Sequence, residues 1–318
     1  MSAQPQYDVV RRNILVRDEL LAAGWTEREI RWRLRSGQWR QLRYGVYVET
    51  ALLVSLAGDA AATHAIHVEA AIARLSGDVV ASHQSAALLH GFDSLDPWPS
   101  SVQVTREGRS ERHAQRYRDL LVRSATLPDS HRHPAAIHGV PLTSGARTVV
   151  DLARLQSMRH AVVTADSALR LGRTTKEELA QVLEDVDGWP GTLRAAEAVR
   201  FADGRSESAF ESVSRVGFHE CRLPAPDLQT EFKGADGMYA RVDFSWEEHH
   251  TVGEADGYGK YTDRADKVAQ QRRQEWLEQE RGLEVVRWTY EEVWGKRLVA
   301  LHRRIEETFA RAHRRWGD

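Results

Sequence analysis

Apolar and polar residues at the start of the chain follow the spacing of two short helices. An amphipathic helix is predicted over Val9–Ala23, and Gly24 ends it. Thr26 and Glu29 have the spacing of a capping box, in which each side chain bonds the backbone N–H of the other residue. They predict a second helix over about Glu27–Arg35, which buries apolar residues on one side and turns arginines outward.

After this second helix the apolar positions roughly alternate around Gly45, as they do in a short β-hairpin. Two helices followed by a hairpin are the order of a winged helix-turn-helix, whose second helix enters the major groove of DNA. We therefore expect residues 1–50 to form a domain that binds double-stranded DNA. The candidate DNA contacts are Arg28, Arg31, Arg33, Arg35, Arg40 and Arg43. The alternative is that these arginines form an ordinary solvated helix face.

The middle region, residues 51–203, has the mixed pattern of an α+β domain. A strand is predicted over Val102–Thr105. Helices are predicted in Val79–Leu89, in Pro141–Leu155 after a turn, from the capping-box sequence Thr174–Glu177 onward, and over Thr192–Phe201.

The last region, residues 204–318, changes to a different order of elements. The pattern predicts a helix over Ser206–Glu220, strands at Leu228–Lys233, Tyr239–Trp246 and Thr251–Asp256, a helix over Asp263–Arg281, a strand at Leu283–Trp288 and a helix from Tyr290 onward. Helix, three-stranded meander, helix and strand give an α/β domain with a mixed central sheet. The tryptophans at 276, 288 and 294 are expected in the core.

Three acidic residues fall on two neighbouring predicted strands. If a two-residue turn at Glu248-His249 joins those strands, Asp243 lies directly opposite Glu254, with Cβ atoms about 5 Å apart. Asp256 is two residues beyond Glu254 and shares its face. Three carboxylates on one face repel unless a cation joins them. Because the ligands are oxygens, the prediction is Mg²⁺ or Mn²⁺, and the alternative is solvated strand residues with salt bridges nearby.

Two further residues complete a set suited to phosphodiester hydrolysis. Glu211 lies on the helix before the meander, and Lys260 follows the acidic strand. In such a site acids hold the metal, the metal lowers the pKa of a bound water, and a lysine steadies a reacting oxygen. The alternatives are that Glu211 pairs with Arg215 on an exposed helix and that Lys260 is a surface lysine.

The order Glu211, Asp243, Glu254-Ala255-Asp256 and Lys260 resembles the PD-(D/E)XK nuclease superfamily, in the branch similar to very-short-patch-repair endonucleases. The segments at 211–215, 241–244, 253–257 and 285–288 are similar to that branch, and the resemblance covers about residues 206–310. It implies a metal-dependent phosphodiesterase fold with Glu211, Asp243 and Glu254 as metal ligands. Asp256 stands where the superfamily places a lysine, so Lys260 supplies the cation or the site is inactive.

A second resemblance covers the first two regions. The N-terminal 48 residues, with the segments 82–87 and 142–152, resemble the antitoxin family of abortive-infection type IV toxin–antitoxin systems. That resemblance implies a DNA-binding front, a repressor or antitoxin role and a cognate toxin as partner. Two functions therefore remain open, a DNA endonuclease and a repressor that keeps the nuclease fold as an inactive scaffold.

Charge and composition fit both functions. The formal net charge of −2 averages segments of opposite sign, because residues 1–48 hold nine arginines against five acids and residues 220–256 hold nine acids against three bases. A basic front suits phosphates and an acidic segment suits cations.

The single cysteine, Cys221, excludes disulfides and cysteine-based zinc clusters. The apolar runs are far shorter than the roughly 20 residues of a membrane span, and the polar N-terminus does not fit a signal peptide. We expect a cytoplasmic protein.

Overall fold

A computed structural model of the chain describes residues 13–98, 100–108, 114–234, 237–256 and 264–317, apart from the side chains of residues 264–269. The chain separates into two compact units. The first comprises residues up to 156 together with 171–199, and the second comprises 157–170 together with 200 onward. The domain boundaries expected at residues 50 and 203 stay a prediction.

The first unit begins with two short helices and a small antiparallel sheet. Its elements are β1 Leu15–Val16, α1 Arg17–Ala22, α2 Glu27–Arg35, β2 Trp39–Arg43 and β3 Val46–Glu49. The strands are ordered β1-β3-β2. The expected hairpin is therefore present, and Gly45 between its strands has a φ of +69°. Such a left-handed conformation favours glycine.

The prediction for the first helix is wrong over Leu15–Val16, which form a strand paired with β3. Ile14 and Val16 are both buried in a core that includes Val46 and Val48. Pairing with β3 therefore overrides the helical spacing of the apolar residues, and the helix begins only at Arg17. The part of the predicted helix before residue 13 lies outside the described residues.

The second helix is confirmed, with the bounds Glu27–Arg35. Its capping box is formed in both directions. The backbone N–H of Thr26 donates to the carboxylate of Glu29 at 2.8 Å, and the backbone N–H of Glu29 donates to Oγ1 of Thr26 at 3.3 Å. Ile30 is buried with Leu20 and Trp39, so the helix is fixed against the hairpin by its apolar side.

The chain continues through the first unit and makes one excursion into the second at α7. The elements are α3 Thr50–Ser55, α4 Ala60–Ile72, β4 Val79–Ala81, α5 His83–His90, β5 Val102–Glu107, β6 Gln115–Tyr117, β7 Leu120–Ala125, α6 Gly145–Ala153, α7 Met158–Arg170, α8 Lys176–Asp185 and α9 Thr192–Phe201. The sheet order is β4-β5-β7-β6, with β5 and β7 parallel.

Two predictions in this region need correction. The helix expected over Val79–Leu89 is a strand for its first three residues, because all three are buried and pair with β5. The capping box expected at Thr174 and Glu177 is formed one residue later, by Thr175 and Glu178. The strand near Val102 and the helices in 141–155 and 192–201 are confirmed.

The second unit contains the predicted α/β order. After α7 it comprises α10 Ala209–Glu220, β8 Asp227–Lys233, β9 Tyr239–Trp246, β10 Thr251–Ala255, α11 Arg264–Gln279, β11 Glu284–Trp288 and α12 Gly295–Trp316. The sheet order is β11-β10-β9-β8. Strands β8, β9 and β10 form an antiparallel meander, and β11 is parallel to β10. The expected mixed sheet is confirmed.

Aromatic residues form much of the core of this unit. Phe218 of α10 packs edge-on against Phe244, Trp246 and Trp288, with ring centroids 5.2–5.6 Å apart. Trp276 of α11 is buried in a separate cluster with residues of β9 and β10. Trp276 and Trp288 are core residues, as expected, whereas the prediction is wrong for Trp294, which is only half-buried. In the described ranges no helix has both the length and the apolar character needed to cross a membrane.

Candidate DNA-binding surface and acidic cluster

The N-terminal module places three arginines together on the outer side of α2. Arg28, Arg31 and Arg35 are all exposed, because the helix is held from its opposite side by the buried Ile30. Arg40 of β2 is exposed as well. Arg28, Arg31 and Arg35 share one face of α2 and form a cationic surface available to a polyanion.

The other two arginines expected at this surface have partners within the protein. The guanidinium of Arg33 lies 5.5–5.9 Å from the ring centroids of Trp25, Trp32 and Trp39 and bonds the side chain of Gln38. Arg43 donates to the carboxylate of Asp119 at 3.0 Å. Both are half-buried, so they stabilise the module and their assignment as DNA contacts stays a prediction.

Two exposed aromatic side chains of the N-terminal module were not predicted from the sequence. Trp32 of α2 is 52% exposed, and Tyr44 at the tip of the hairpin is 78% exposed. Single exposed apolar side chains are common on protein surfaces, so these rings alone do not mark a binding site. The signal available in the sequence was Trp32 on the arginine-rich side of an amphipathic helix.

Strands β9 and β10 have the register that was expected. Thr251 pairs with Trp246 and Gly253 pairs with Phe244, where the recorded pairing ends, so the opposition of Glu254 and Asp243 one step further stays a prediction. The predicted two-residue turn is wrong, because the connection has four residues and contains a 3-10 turn at Glu247–His249. The four-residue connection is centred on the same two residues, Glu248 and His249, so the pairing register of β9 and β10 is the expected one.

The carboxylate of Glu254 is held by two arginines. It is 6% exposed and accepts a hydrogen bond from Arg273 of α11 at 2.5 Å and one from Arg287 of β11 at 2.8 Å. The parallel pairing of β10 with β11 sets Arg287 directly beside Glu254. Arg287 also lies 3.6 Å from the carboxylate of Asp256. Arginine thus balances the charge on this face of the sheet.

Glu211 and Asp243 lie near each other beside the same sheet. Glu211 accepts hydrogen bonds from the backbone N–H of Glu207, the hydroxyl of Ser208 and the side chain of Gln229 at 2.8–2.9 Å. Burial raises the pKa of Glu211, and the carboxylate of Asp243 raises it further. Asp243 accepts from the backbone N–H of Ala255 at 2.9 Å. The structure therefore gives Glu211 a second role, as a cap of α10.

The alternative pairing of Glu211 with Arg215 is not what the described structure shows. Arg215 instead donates to the carboxylate of Asp166 on α7 at 2.7 Å. Ser212 donates to the same carboxylate at 2.7 Å. This buried pair fastens α10 to α7 and has no part in the acidic cluster.

In the described structure arginines occupy the carboxylate oxygens of Glu254. Both oxygens of Glu254 accept from guanidinium groups, and within the described part of the chain no three His, Cys, Asp or Glu side chains converge to hold one. A guanidinium and a divalent cation compete for the same carboxylate oxygens. Lys260 lies outside the described residues. The metal-ligand assignments of Glu211, Asp243, Glu254 and Asp256 stay predictions.

The segment resembling antitoxins forms a buried polar network in the first unit. Arg147 donates to Asp151 at 2.8 Å and to Nδ1 of His131 at 2.9 Å. Nε2 of His131 then donates to Asp185 at 2.9 Å. Both ring nitrogens of His131 are thereby used, so this histidine is not available as a base. Through these hydrogen bonds, Arg147 and Asp151 of this segment stabilise the fold of the first unit.

Comparison with known proteins places the chain beside two mycobacterial sequences. It is 30% identical over 229 residues to the uncharacterized proteins MT2308 and Rv2248 of Mycobacterium tuberculosis, and the match covers 70% of this chain and 74% of each relative. No family model matches. The crystal structure of RV2827C protein from Mycobacterium tuberculosis matches with a TM-score of 0.38 and 14% identity over 70% of this chain and 84% of that one.

Proposed function

This chain belongs to the family of the mycobacterial proteins MT2308 and Rv2248, and we propose that it is a duplex-DNA-binding regulator. The observation that carries the proposal is the joint exposure of Arg28, Arg31 and Arg35 on the second helix of a helix–hairpin module. The second helix of a winged helix-turn-helix lies in the major groove, and its arginines contact phosphates and base edges.

The arginine balance in the C-terminal sheet favours a regulator over an active nuclease. In the regulator, the sheet is a scaffold, and Glu254 with Arg273 and Arg287 is a structural ion network. A nuclease site would need Glu254 for its metal and a cation near the scissile phosphate. The resemblance to type IV antitoxins supports the same function and adds a cognate toxin as the partner to be sought.

Salt dependence of DNA binding tests the proposal. Replacing Arg28, Arg31 and Arg35 by alanine removes up to three phosphate contacts, so the slope of log K against log salt should become shallower by up to about 2.7, at about 0.9 per contact. The control replaces Lys296, Arg297 and Arg314, which are exposed on α12, and removes the same charge. Equal affinity and slope for the wild type and the α2 variant would contradict the proposal.

A metal-dependent DNA endonuclease is the second candidate. The observation that favours it is the β9–β10 register, which pairs Gly253 with Phe244 and so brings the adjacent Glu254 and Asp243 to the same end of the two strands, with Asp256 directly after β10. This function requires Arg273 and Arg287 to release Glu254.

Plasmid relaxation with Mg²⁺ or Mn²⁺ separates the two candidates. The regulator predicts no nicking above that of the Glu254→Gln variant, although both proteins bind the plasmid. Nicking by the wild type that is lost in Glu254→Gln and in Asp243→Asn would establish the endonuclease and overturn the scaffold role. Nicking that persists in both variants would indicate a contaminating nuclease.

A further inference from the structure

Three histidines of the second unit meet away from the acidic cluster. His249 and His250 belong to the β9–β10 connection, and His313 lies in the last turn of α12. Nδ1 of His249 lies 3.3 Å from Nε2 of His313. The ring centroid of His250 lies 6.2 Å from that of His313. The chain thus brings two imidazole nitrogens together from distant points in the sequence.

The separation of these two nitrogens is that of neighbouring ligands on one metal ion. Zinc binds imidazole nitrogen at about 2.0–2.1 Å, so two nitrogens at the tetrahedral angle lie about 3.3–3.4 Å apart. Without an ion the two rings are within hydrogen-bond distance, with the N–H of one donating to the nitrogen of the other, and a bound metal ion would displace that proton.

The surroundings hold the pair in place and leave it open to water. The ring of His249 stacks on Phe309 with a centroid separation of 4.2 Å and an angle of 12°. His250 follows with a φ of +45°, and its carbonyl oxygen accepts from the backbone N–H of Glu284 at 2.8 Å. His313 is exposed. An ion can therefore reach two preset nitrogens without unfolding any element.

We propose that His249 and His313 form a site for a transition-metal cation of the Zn²⁺ type. The two imidazole nitrogens are the protein ligands, and water completes the coordination, because no third potential ligand converges on them among the described residues. Imidazole favours Zn²⁺, Ni²⁺ and Cu²⁺ over Mg²⁺, so this site is chemically distinct from the acidic cluster. A bound cation would tie the β9–β10 connection to α12.

Thermal unfolding of the untagged full-length protein with ZnCl₂, NiCl₂ or MgCl₂ tests the site. A ligand that binds only the folded state raises the melting temperature, and we expect a rise of several degrees with Zn²⁺ or Ni²⁺ and none with Mg²⁺. His249→Phe keeps an aromatic ring over Phe309 but removes the nitrogens, and His313→Ala removes an exposed side chain. Both variants should lose the rise.

The matched control is His302→Ala, which removes another histidine of α12 and should keep the full rise. Calorimetric titration with Zn²⁺ should give one ion per chain for the wild type and for this control. The proposal is overturned if the wild type shows no response to Zn²⁺ or Ni²⁺. It is also overturned if the response survives in both His249→Phe and His313→Ala, because the ion would then bind elsewhere.

Discussion

The side chain of Glu254 is 6% exposed, and the guanidinium groups of Arg273 and Arg287 both donate to it. A buried carboxylate loses its hydration, and only strong, well-directed hydrogen bonds compensate for that loss. The acidic strand is therefore stable without a cation because two basic residues from other elements reach it. Individual side chains thus balance the charge of Glu254. The strand depends on Arg273 and Arg287 as well as on its apolar residues.

Replacing Arg287 by methionine should lower the free energy of unfolding by about 1.5–3 kcal/mol, because it removes one of the two charged donors to a buried carboxylate while Arg273 remains. The control is Arg241→Met. Arg241 pairs with Glu207 at 2.7 Å, but both side chains are nearly half exposed, and such a pair contributes about 0–1 kcal/mol. Urea denaturation of both variants measures the difference. Equal losses would show that the Glu254 network contributes no more than a surface pair.

The imidazole of His90 gives a pH dependence. Its Nε2 lies 2.8 Å from the carbonyl oxygen of Thr143 and donates to it, and its buried Nδ1 has no hydrogen-bond partner. Burial lowers the pKa of His90 from 6.5 to about 4. Between these values the unfolded chain binds a proton that the folded chain does not bind. The neutral His90 of the folded state therefore makes its full contribution to the free energy of unfolding above pH 6.5, and that contribution is lost as the pH falls toward 4.

We expect His90→Gln to flatten the fall in unfolding free energy between pH 6.5 and 4, compared with the wild type. Urea titrations at several pH values measure that slope. His302→Gln serves as the control, because His302 is a surface residue that pairs with Glu306. A slope that is the same in His90→Gln and in the wild type would show that His90 does not supply this pH dependence.

At the scale of elements, regular local patterns were predictable and long-range pairings were not. The bounds of α2 and β9 follow from a capping box and from alternation, both of which are local. The segment Leu15–Val16 has helical spacing, yet it is a strand because β3 lies beside it. Likewise, Arg287 was not predicted as a partner of Glu254, since the parallel pairing of β10 with β11 is invisible in either segment alone.

Strand β10 depends on the absence of a side chain at Gly253. A Cβ atom there would lie 2.7–2.8 Å from the indole ring of Trp288 and 3.1 Å from that of Trp246. Trp288 is almost fully buried and its Nε1 donates to Ser214, so it has no room to move. Gly253→Ala should therefore cost about 1–3 kcal/mol of stability.

Gly108→Ala is the comparison for this prediction, because a Cβ atom there would meet Ser124 at an ordinary 3.5 Å. Its cost should stay below that of Gly253→Ala, at about the 0.5 kcal/mol usual for substitutions outside the core. Thermal unfolding compares the two variants. If Gly253→Ala melts at the wild-type temperature, the close packing of Trp288 on β10 does not limit stability.

At the scale of the whole molecule, the chain enters the second unit before it has completed the first. Helix α7, Met158–Arg170, belongs with the second unit, whereas residues 171–199 return to the first. Within the second unit, Asp166 of α7 binds Arg215 of α10. A division of the chain at residue 203, which the sequence patterns suggest, separates these two residues.

A fragment of residues 204–318 should therefore unfold at a lower urea concentration than a fragment of residues 157–318. The shorter fragment leaves Arg215 without its buried partner, a loss of about 3–5 kcal/mol, and uncovers the side of α10 that packs on α7. Circular dichroism during urea unfolding compares the two fragments. Equal midpoints would show that the second unit folds without α7, and the boundary at 203 would then be the better one.

The excursion of the chain through α7 also sets an order of events on the ribosome. Helix α7 leaves the exit tunnel before residues 171–199, which complete the first unit, and well before α10, on which it packs. Synthesis proceeds at about 5–20 residues per second, so the apolar side of α7 stays uncovered for a few seconds in every nascent chain. During that interval the nascent chain exposes an apolar helix face that a chaperone can bind.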